Sequence, residues 1–343
     1  MTERRQELEE TAQAMVAEGQ GILAADESTG TMTKRLETVG VESNEENRRT
    51  FRELLVTTPD AGKKISGVIL YDETIKQKTA DGKPFPEMLN EVGILPGIKV
   101  DTGAKPLAGA DGETVTEGLD GLRERFEEYK ELGAKFAKWR GVINIGDGKP
   151  TDYAIHVNAH ALARYAALAQ EAGIVPIVEP EVMMDGDHMI DVAEDVSRRT
   201  LTAVFGELEL QQVYLPGIVL KPNMVLAGYD NPDQPSVEEV AERTVKLFKE
   251  LVPEDVPGIA FLSGGQPDEL AAAHLNAMNK MGDLPWELTF SYGRALIGSP
   301  LKVWSGDADK VQNAQEAFAH RARCNAAARQ GEYSDEMEKE AVA

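Results

Sequence analysis

Short apolar, β-branched runs recur along the chain, each closing on a charge, a hydroxyl or a glycine, and apolar residues at helical spacing fill the stretches between them. The runs cover residues 22–26, 67–72, 97–101, 136–143, 174–182, 217–223, 258–265 and 288–295, and their starts lie 30 to 45 residues apart. That interval holds a strand, a crossover helix and a return. Ser43 with Glu46 and Ser236 with Glu239 predict capped helix starts. Leu122, Phe126 and Tyr129 repeat at helical spacing before Gly133, and an amphipathic segment runs from Thr151 to Gly173. A helix from about residue 3 precedes the first run, and one from Asp307 to Gln330 follows the last.

Eight buried strands alternating with helices predict an α/β protein: a single eight-stranded parallel (β/α)8 TIM barrel over residues 1–343, with extra N- and C-terminal helices. A doubly wound open sheet gives a similar string. The barrel is favoured because the polar residues collect at the C-terminal ends of the runs, the face where such barrels carry their chemistry. No low-complexity linker divides the chain, and the acidic residues 334–343 read as a mobile tail.

The formal net charge of −23 excludes a general binder of nucleic acid or anionic membrane, since a polyanion is repelled over most of such a surface. One cysteine, Cys324, allows no internal disulfide. The N-terminal segment is a charged helix without a signal-peptide core, and no apolar run reaches membrane-spanning length, so a cytoplasmic protein is expected.

Residues i and i+2 of a strand share a face, which makes Lys99 with Asp101, Lys138 with Arg140 and Glu179 with Glu181 three charged pairs. Facing inward they meet at the barrel mouth; facing outward they form salt bridges to helices. Lys221 ends an apolar run and precedes Pro222 and Asn223. Desolvation and neighbouring cations there disfavour the ammonium form and leave the neutral amine that Schiff-base chemistry requires, although a structural lysine paired with a glutamate is the plainer alternative. Glu179 and Glu181 need a nearby cation to ionise together, for which Lys138 is the natural candidate; one suits proton shuttling, the other charge fixing.

Ser263-Gly264-Gly265 after the seventh strand, and Ser291, Gly293 and Arg294 after the eighth, have the composition of a phosphate cradle. Across the mouth, Asp26, Ser28 and Thr31 follow the first strand, where Lys99 or Arg140 would complete a second phosphate site. Two such sites point to a sugar bisphosphate. Histidine argues against a metal mechanism. His156 and His160 lie mid-helix, His188 sits in an Asp-Gly-Asp-His turn, and His274 and His320 have no obvious partners.

Long ordered segments, among them GILAADESTGTMTKRL, GIKVDTGAKPLAG, FAKWR, VEPEV, LKPNM, FLSGGQ and LTFSYGRAL, resemble the class I fructose-bisphosphate aldolases from about residue 18 to 333. The resemblance implies one eight-stranded barrel in a cytoplasmic homotetramer. It implies no metal and no cofactor, with fructose 1,6-bisphosphate and triose phosphates as ligands in glycolysis and gluconeogenesis. It makes Lys221 the Schiff-base lysine, Glu179 the acid/base, Glu181 and Lys138 its charge partners, and Asp26 the carboxylate orienting Lys221. Ser263, Gly264, Gly265, Ser291, Gly293 and Arg294 fall to the C1 phosphate, and Ser28, Thr31, Lys99 and Arg140 to the C6 phosphate. Thr31 stands where the animal enzymes carry a serine, and Glu340 to Ala343 where they end in a tyrosine that aids proton exchange at C3. Two rivals are a Mg²⁺-dependent barrel enzyme using Glu179, Glu181, Asp185 and Asp187, and a non-catalytic sugar-phosphate scaffold.

Overall fold

A computed structural model describes residues 2–339. Ten strands follow in chain order: β1 Gly21–Ala25, β2 Ile65–Leu70, β3 Leu95–Lys99, β4 Gly103–Pro106, β5 Thr114–Glu117, β6 Phe136–Ile143, β7 Val175–Val182, β8 Val219–Leu220, β9 Gly258–Phe261 and β10 Glu287–Tyr292. Eight of them close into a barrel in the order β1-β10-β9-β8-β7-β6-β3-β2, and every pairing in it is parallel. The open-sheet alternative is thereby eliminated. The remaining two strands form an antiparallel hairpin that the sequence pattern did not reveal. Its residues are too exposed to show a continuous apolar run. Thr116 anchors it by donating from Oγ1 to the Arg140 carbonyl at 2.6 Å.

The inward faces explain why one end of the barrel is inert and the other charged. Ile22, Ile69, Phe136, Val175, Ile177, Val219 and Ala260 fill the lower layers, and Leu8, Ala12 and Met15 of the helix Thr2–Met15, with the following Val16, pack onto them. Two residues on, the same faces of β6 and β7 present Lys138 and Glu179, and two further Arg140 and Glu181. Phe136 fills the barrel floor only because Gly97 opposes it: a Cβ there would lie 2.2 Å from its ring.

The strand that leads into Lys221, β8, is short. Pro222 has no N–H to continue a ladder, and the turn Leu215–Gly217 occupies the start of the expected run. The Lys221 amide still donates to the Val178 carbonyl at 2.8 Å, which fixes its backbone to β7.

Helix ends follow their signals, with one shift. Thr151 and Ser236 cap their helices, and Gly173 closes the helix Asp152–Ala172 in the left-handed conformation. The helix Glu45–Val56 is capped by Asn44 rather than Ser43, whose hydroxyl instead accepts from Thr33 at 2.7 Å. Of the segment expected to form a tail, residues 334–339 lie against the last helix, Val311–Arg329, with a short turn of helix at Met337–Lys339. Glu338 bonds to Arg321 and accepts from the Tyr333 hydroxyl at 2.9 Å. Residues 340–343, including the position discussed for a terminal tyrosine, lie outside the described residues.

Candidate active site

A cavity of about 660 Å³ opens at the C-terminal face of the barrel. Every residue singled out for catalysis or phosphate binding lines it except Gly265, which stands immediately beside the lining residue Gly264. Five members of the three charged strand pairs, Lys99, Lys138, Arg140, Glu179 and Glu181, therefore face the cavity, while Asp101 does not line it and meets Lys99.

The floor is a buried charge network. Lys138 Nζ lies 2.5 Å from Asp26 Oδ2 and 3.4 Å from Glu179 Oε2, and Lys221 Nζ lies 3.4 Å from Glu179 Oε1. Burial opposes ionisation of Lys138, but the carboxylates of Asp26, Glu179 and Asp101 outweigh it and raise its pKa above the ordinary lysine value. Asp26 is the mirror case. Its burial is overcome by Lys138 and Lys221, which hold its carboxyl well below the usual range. Lys138 is thus a fixed cation and Asp26 a fixed anion. Glu179 Oε2 is buried facing Lys138 and accepts no hydrogen bond, so it retains acceptor capacity.

Lys138 is the cation beside Glu179, and a second cation serves Glu181. Glu181 does not meet Lys138; it bonds to the Arg140 guanidinium, leaving Lys138 to Asp26 and Glu179. Arg140 consequently reaches the mouth already neutralised, and Lys99, 3.3 Å from Asp101, does so in part.

The opposite rim is built for close approach to an anion. Gly264 and Gly265 have φ of +61° and +101°, where side chains are rarely accommodated. A Cβ on Gly265 would also lie 2.8 Å from Arg294 Nη2. The glycines let the guanidinium lie along the loop, and no carboxylate pairs with Arg294 among the described residues. Ser291 contributes a buried hydroxyl without a partner. Tyr229, missed in the sequence, steadies the loop by donating to the Gly264 carbonyl at 3.1 Å.

On the β1 side, Ser28 caps the following helix, Thr29–Glu37, and its hydroxyl lies 3.2 Å from that of Thr31. The same helix brings Lys34 and Arg35 to the cavity, and Lys302 enters from the helix Arg294–Trp304. These three cations were also missed. Spacing carried a signal for the first two, because positions three and four beyond Thr31 share its helix face.

The metal-enzyme rival finds no assembled donor set. Cations hold Glu179 and Glu181, while Asp185 and Asp187 do not line the cavity. The histidines lie elsewhere. His156 and His160 flank Glu207 on an outer helix face at 3.7 and 3.2 Å. His274 and His320 do have partners: His274 meets Gln266 Oε1 at 2.7 Å, and burial lowers its pKa to about 4, whereas His320 faces Glu338.

A family model described as fructose-bisphosphate aldolase class-I matches residues 7–343. The chain belongs to the class I fructose-bisphosphate aldolases. A probable class 1 fructose-bisphosphate aldolase of Xanthomonas campestris is 57% identical over 329 residues, 96% of this chain and 98% of that one. A cytosolic fructose-bisphosphate aldolase of Arabidopsis thaliana is 52% identical, covering 93% of this chain and 82% of its own. The solved structure of the Plasmodium falciparum fructose-bisphosphate aldolase, in complex with TRAP and a small-molecule inhibitor, superposes with a TM-score of 0.96 at 46% identity over 97% of both chains. This aldolase is accordingly a metal-independent, Schiff-base lyase on a (β/α)8 barrel.

Proposed function

We propose a residue-by-residue division of labour for the reversible cleavage of fructose 1,6-bisphosphate to dihydroxyacetone phosphate and glyceraldehyde 3-phosphate. The observation that carries it is the placement of one lysine and one glutamate, Lys221 and Glu179, 3.4 Å apart on the floor of a cavity whose opposite rims carry separate sets of basic and hydroxyl groups. The Lys221 amine attacks the C2 ketone, and loss of water gives a protonated imine. Glu179 accepts the C4 hydroxyl proton as the C3–C4 bond breaks, and that bond's electron pair passes into the imine to leave an enamine. Glyceraldehyde 3-phosphate departs, C3 is protonated, and water releases dihydroxyacetone phosphate and the free lysine. The positive imine stabilises charge developing beside C2, as a divalent ion does in metal-dependent aldolases. Lys138 and Asp26 keep this floor charged without exchanging protons themselves, and Glu181 orients Arg140.

Ser263, Gly264, Gly265, Ser291, Gly293 and Arg294 take the C1 phosphate; Ser28, Thr31, Lys99 and Arg140 take the C6 phosphate, with Lys34 adding charge at that rim, where Arg35 is bonded to Glu27. Arg294→Ala is expected to weaken both the bisphosphate and dihydroxyacetone phosphate by about ten- to a hundredfold, the scale of a lost charge-assisted contact. Lys99→Ala is expected to affect the bisphosphate more than fructose 1-phosphate, which lacks the distal group. Steady-state kinetics on the two substrates tests the pair, and equal losses on both for Lys99→Ala would reverse the assignment.

Turnover in excess EDTA is expected to match turnover without it, because the imine supplies the electron sink. Activity that falls with chelator and returns with Mg²⁺ would contradict this. For the whole molecule the reading is a cytoplasmic homotetramer, supported by the family and by the cytosolic name of the Arabidopsis relative. No helix among the described residues is long and apolar enough to cross a membrane.

A further inference from the structure

We propose that His320, Cys324 and Glu338 form a zinc site, apart from the catalytic cavity, that fastens the C-terminal segment to the last helix. His320 and Cys324 are four residues apart on the helix Val311–Arg329 and so project from one face. Cys324 Sγ lies 3.7 Å from His320 Nε2, which lies 3.7 Å from Glu338 Oε2, and the three donor atoms all fall within 4.8 Å of one another. Tetrahedral zinc bonds sulfur at about 2.3 Å and nitrogen or oxygen at about 2.0–2.2 Å, which separates its ligand atoms by roughly 3.3–3.6 Å. Small side-chain shifts bring the three into that range.

The donor chemistry and its surroundings agree with this ion. A thiolate, an imidazole and a carboxylate suit zinc and not the all-oxygen preference of magnesium or calcium. The thiolate and carboxylate offset the ion's two charges, Arg321 beside Glu338 leaves the cluster with one net positive charge, and water takes the fourth position. His320 and Cys324 are buried, as structural ligands are. Glu338 has an outer shell already in place: Arg321 binds the same oxygen that faces His320, and the Tyr333 hydroxyl donates to the other. Binding releases the thiol proton and requires Nδ1 of His320 to carry hydrogen, so the exposed Arg323, whose Nη2 stands 3.4 Å from that atom, turns away. Because Glu338 comes from the C-terminal segment, docking of that segment and binding of zinc favour each other. None of the three donors lines the catalytic cavity, so the site is independent of the metal-free reaction.

The test uses the reduced full-length protein, stripped with chelator, dialysed, and titrated with zinc sulfate against a chromophoric zinc indicator. One tight equivalent per chain is expected. Cys324→Ser should weaken it at least about a hundredfold, since even an outer-shell partner is worth about 10- to 100-fold. A chain ending at Tyr333, which removes only Glu338 and its neighbours, should weaken it as well, and supplies the test if the serine variant fails to fold. Cobalt(II) in place of zinc should give a thiolate-to-metal absorption band that Cys324→Ser abolishes. Absence of a tight equivalent, or equal affinity in the wild type and the chain ending at Tyr333, would overturn the proposal. So would binding that survives Cys324→Ser but is lost in His160→Gln, which would place the ion on the outer His156–His160 face.

Discussion

Lys221→Met is expected to abolish cleavage of fructose 1,6-bisphosphate, with turnover falling by about 10⁶-fold, the scale on which removal of a covalent nucleophile acts. The substitution matches the lysine in length and suits its surroundings: Lys221 is 3% exposed, next to the apolar Val219 and Leu220. Glu179 retains Lys138 as a counter-charge, so the carboxylate is not stranded, and the fold should persist. The specific readout is covalent. Borohydride reduction in the presence of dihydroxyacetone phosphate should add one triose phosphate to the wild-type chain, on the peptide bearing Lys221, and none to the variant. An adduct on Lys138 or Lys99 would reassign the nucleophile. Lys138 is the stringent control, because it shares the same buried floor but is tied to Asp26 at 2.5 Å.

Glu179→Gln is expected to lower kcat by about 10²–10⁴-fold, the usual worth of a positioned general acid/base. Glutamine keeps the volume but cannot accept the C4 hydroxyl proton. The phosphate rims are untouched by this change, so KM for the bisphosphate should move far less than kcat. Asp26 continues to hold Lys138, which limits structural damage. Slow formation of the borohydride-trapped adduct should accompany the loss, because the same carboxylate stands 3.4 Å from Lys221 and serves the dehydration that makes the imine. Turnover within tenfold of the wild type would remove Glu179 from proton transfer, and a loss confined to KM would make it a binding residue.

Much of this site was legible before any coordinates, for a reason peculiar to parallel barrels. Strand direction sends every C-terminal end to one face, so charges that close apolar runs in sequence gather in space. Lys221, Glu179, Lys138 and the Ser263–Gly265 loop could be found in that way. Lys34, Arg35 and Lys302 escaped because they lie on helices, where a cation ordinarily faces solvent. Only the seating of the helices Thr29–Glu37 and Arg294–Trp304 at the rim brings these three to the cavity. The hairpin of β4 and β5 escaped because its strands are short and exposed.

What the sequence by itself determined is the alternation of eight buried strands with amphipathic helices and the strand-end residues at the mouth, since both follow from local periodicity and strand direction. Which of those residues pair was decided only by the tertiary structure. Ladder register sets Arg140 against Glu179 and Lys138 against Ile177, yet the ion pairs run from Lys138 to Glu179 and from Arg140 to Glu181, each two residues along. Strands in a closed barrel tilt against its axis, so side chains at one level come from staggered positions on neighbouring strands. That stagger cannot be read from either strand alone. The same holds for Glu338, which meets His320 and Cys324 only because the chain turns back beyond Tyr333 onto the last helix.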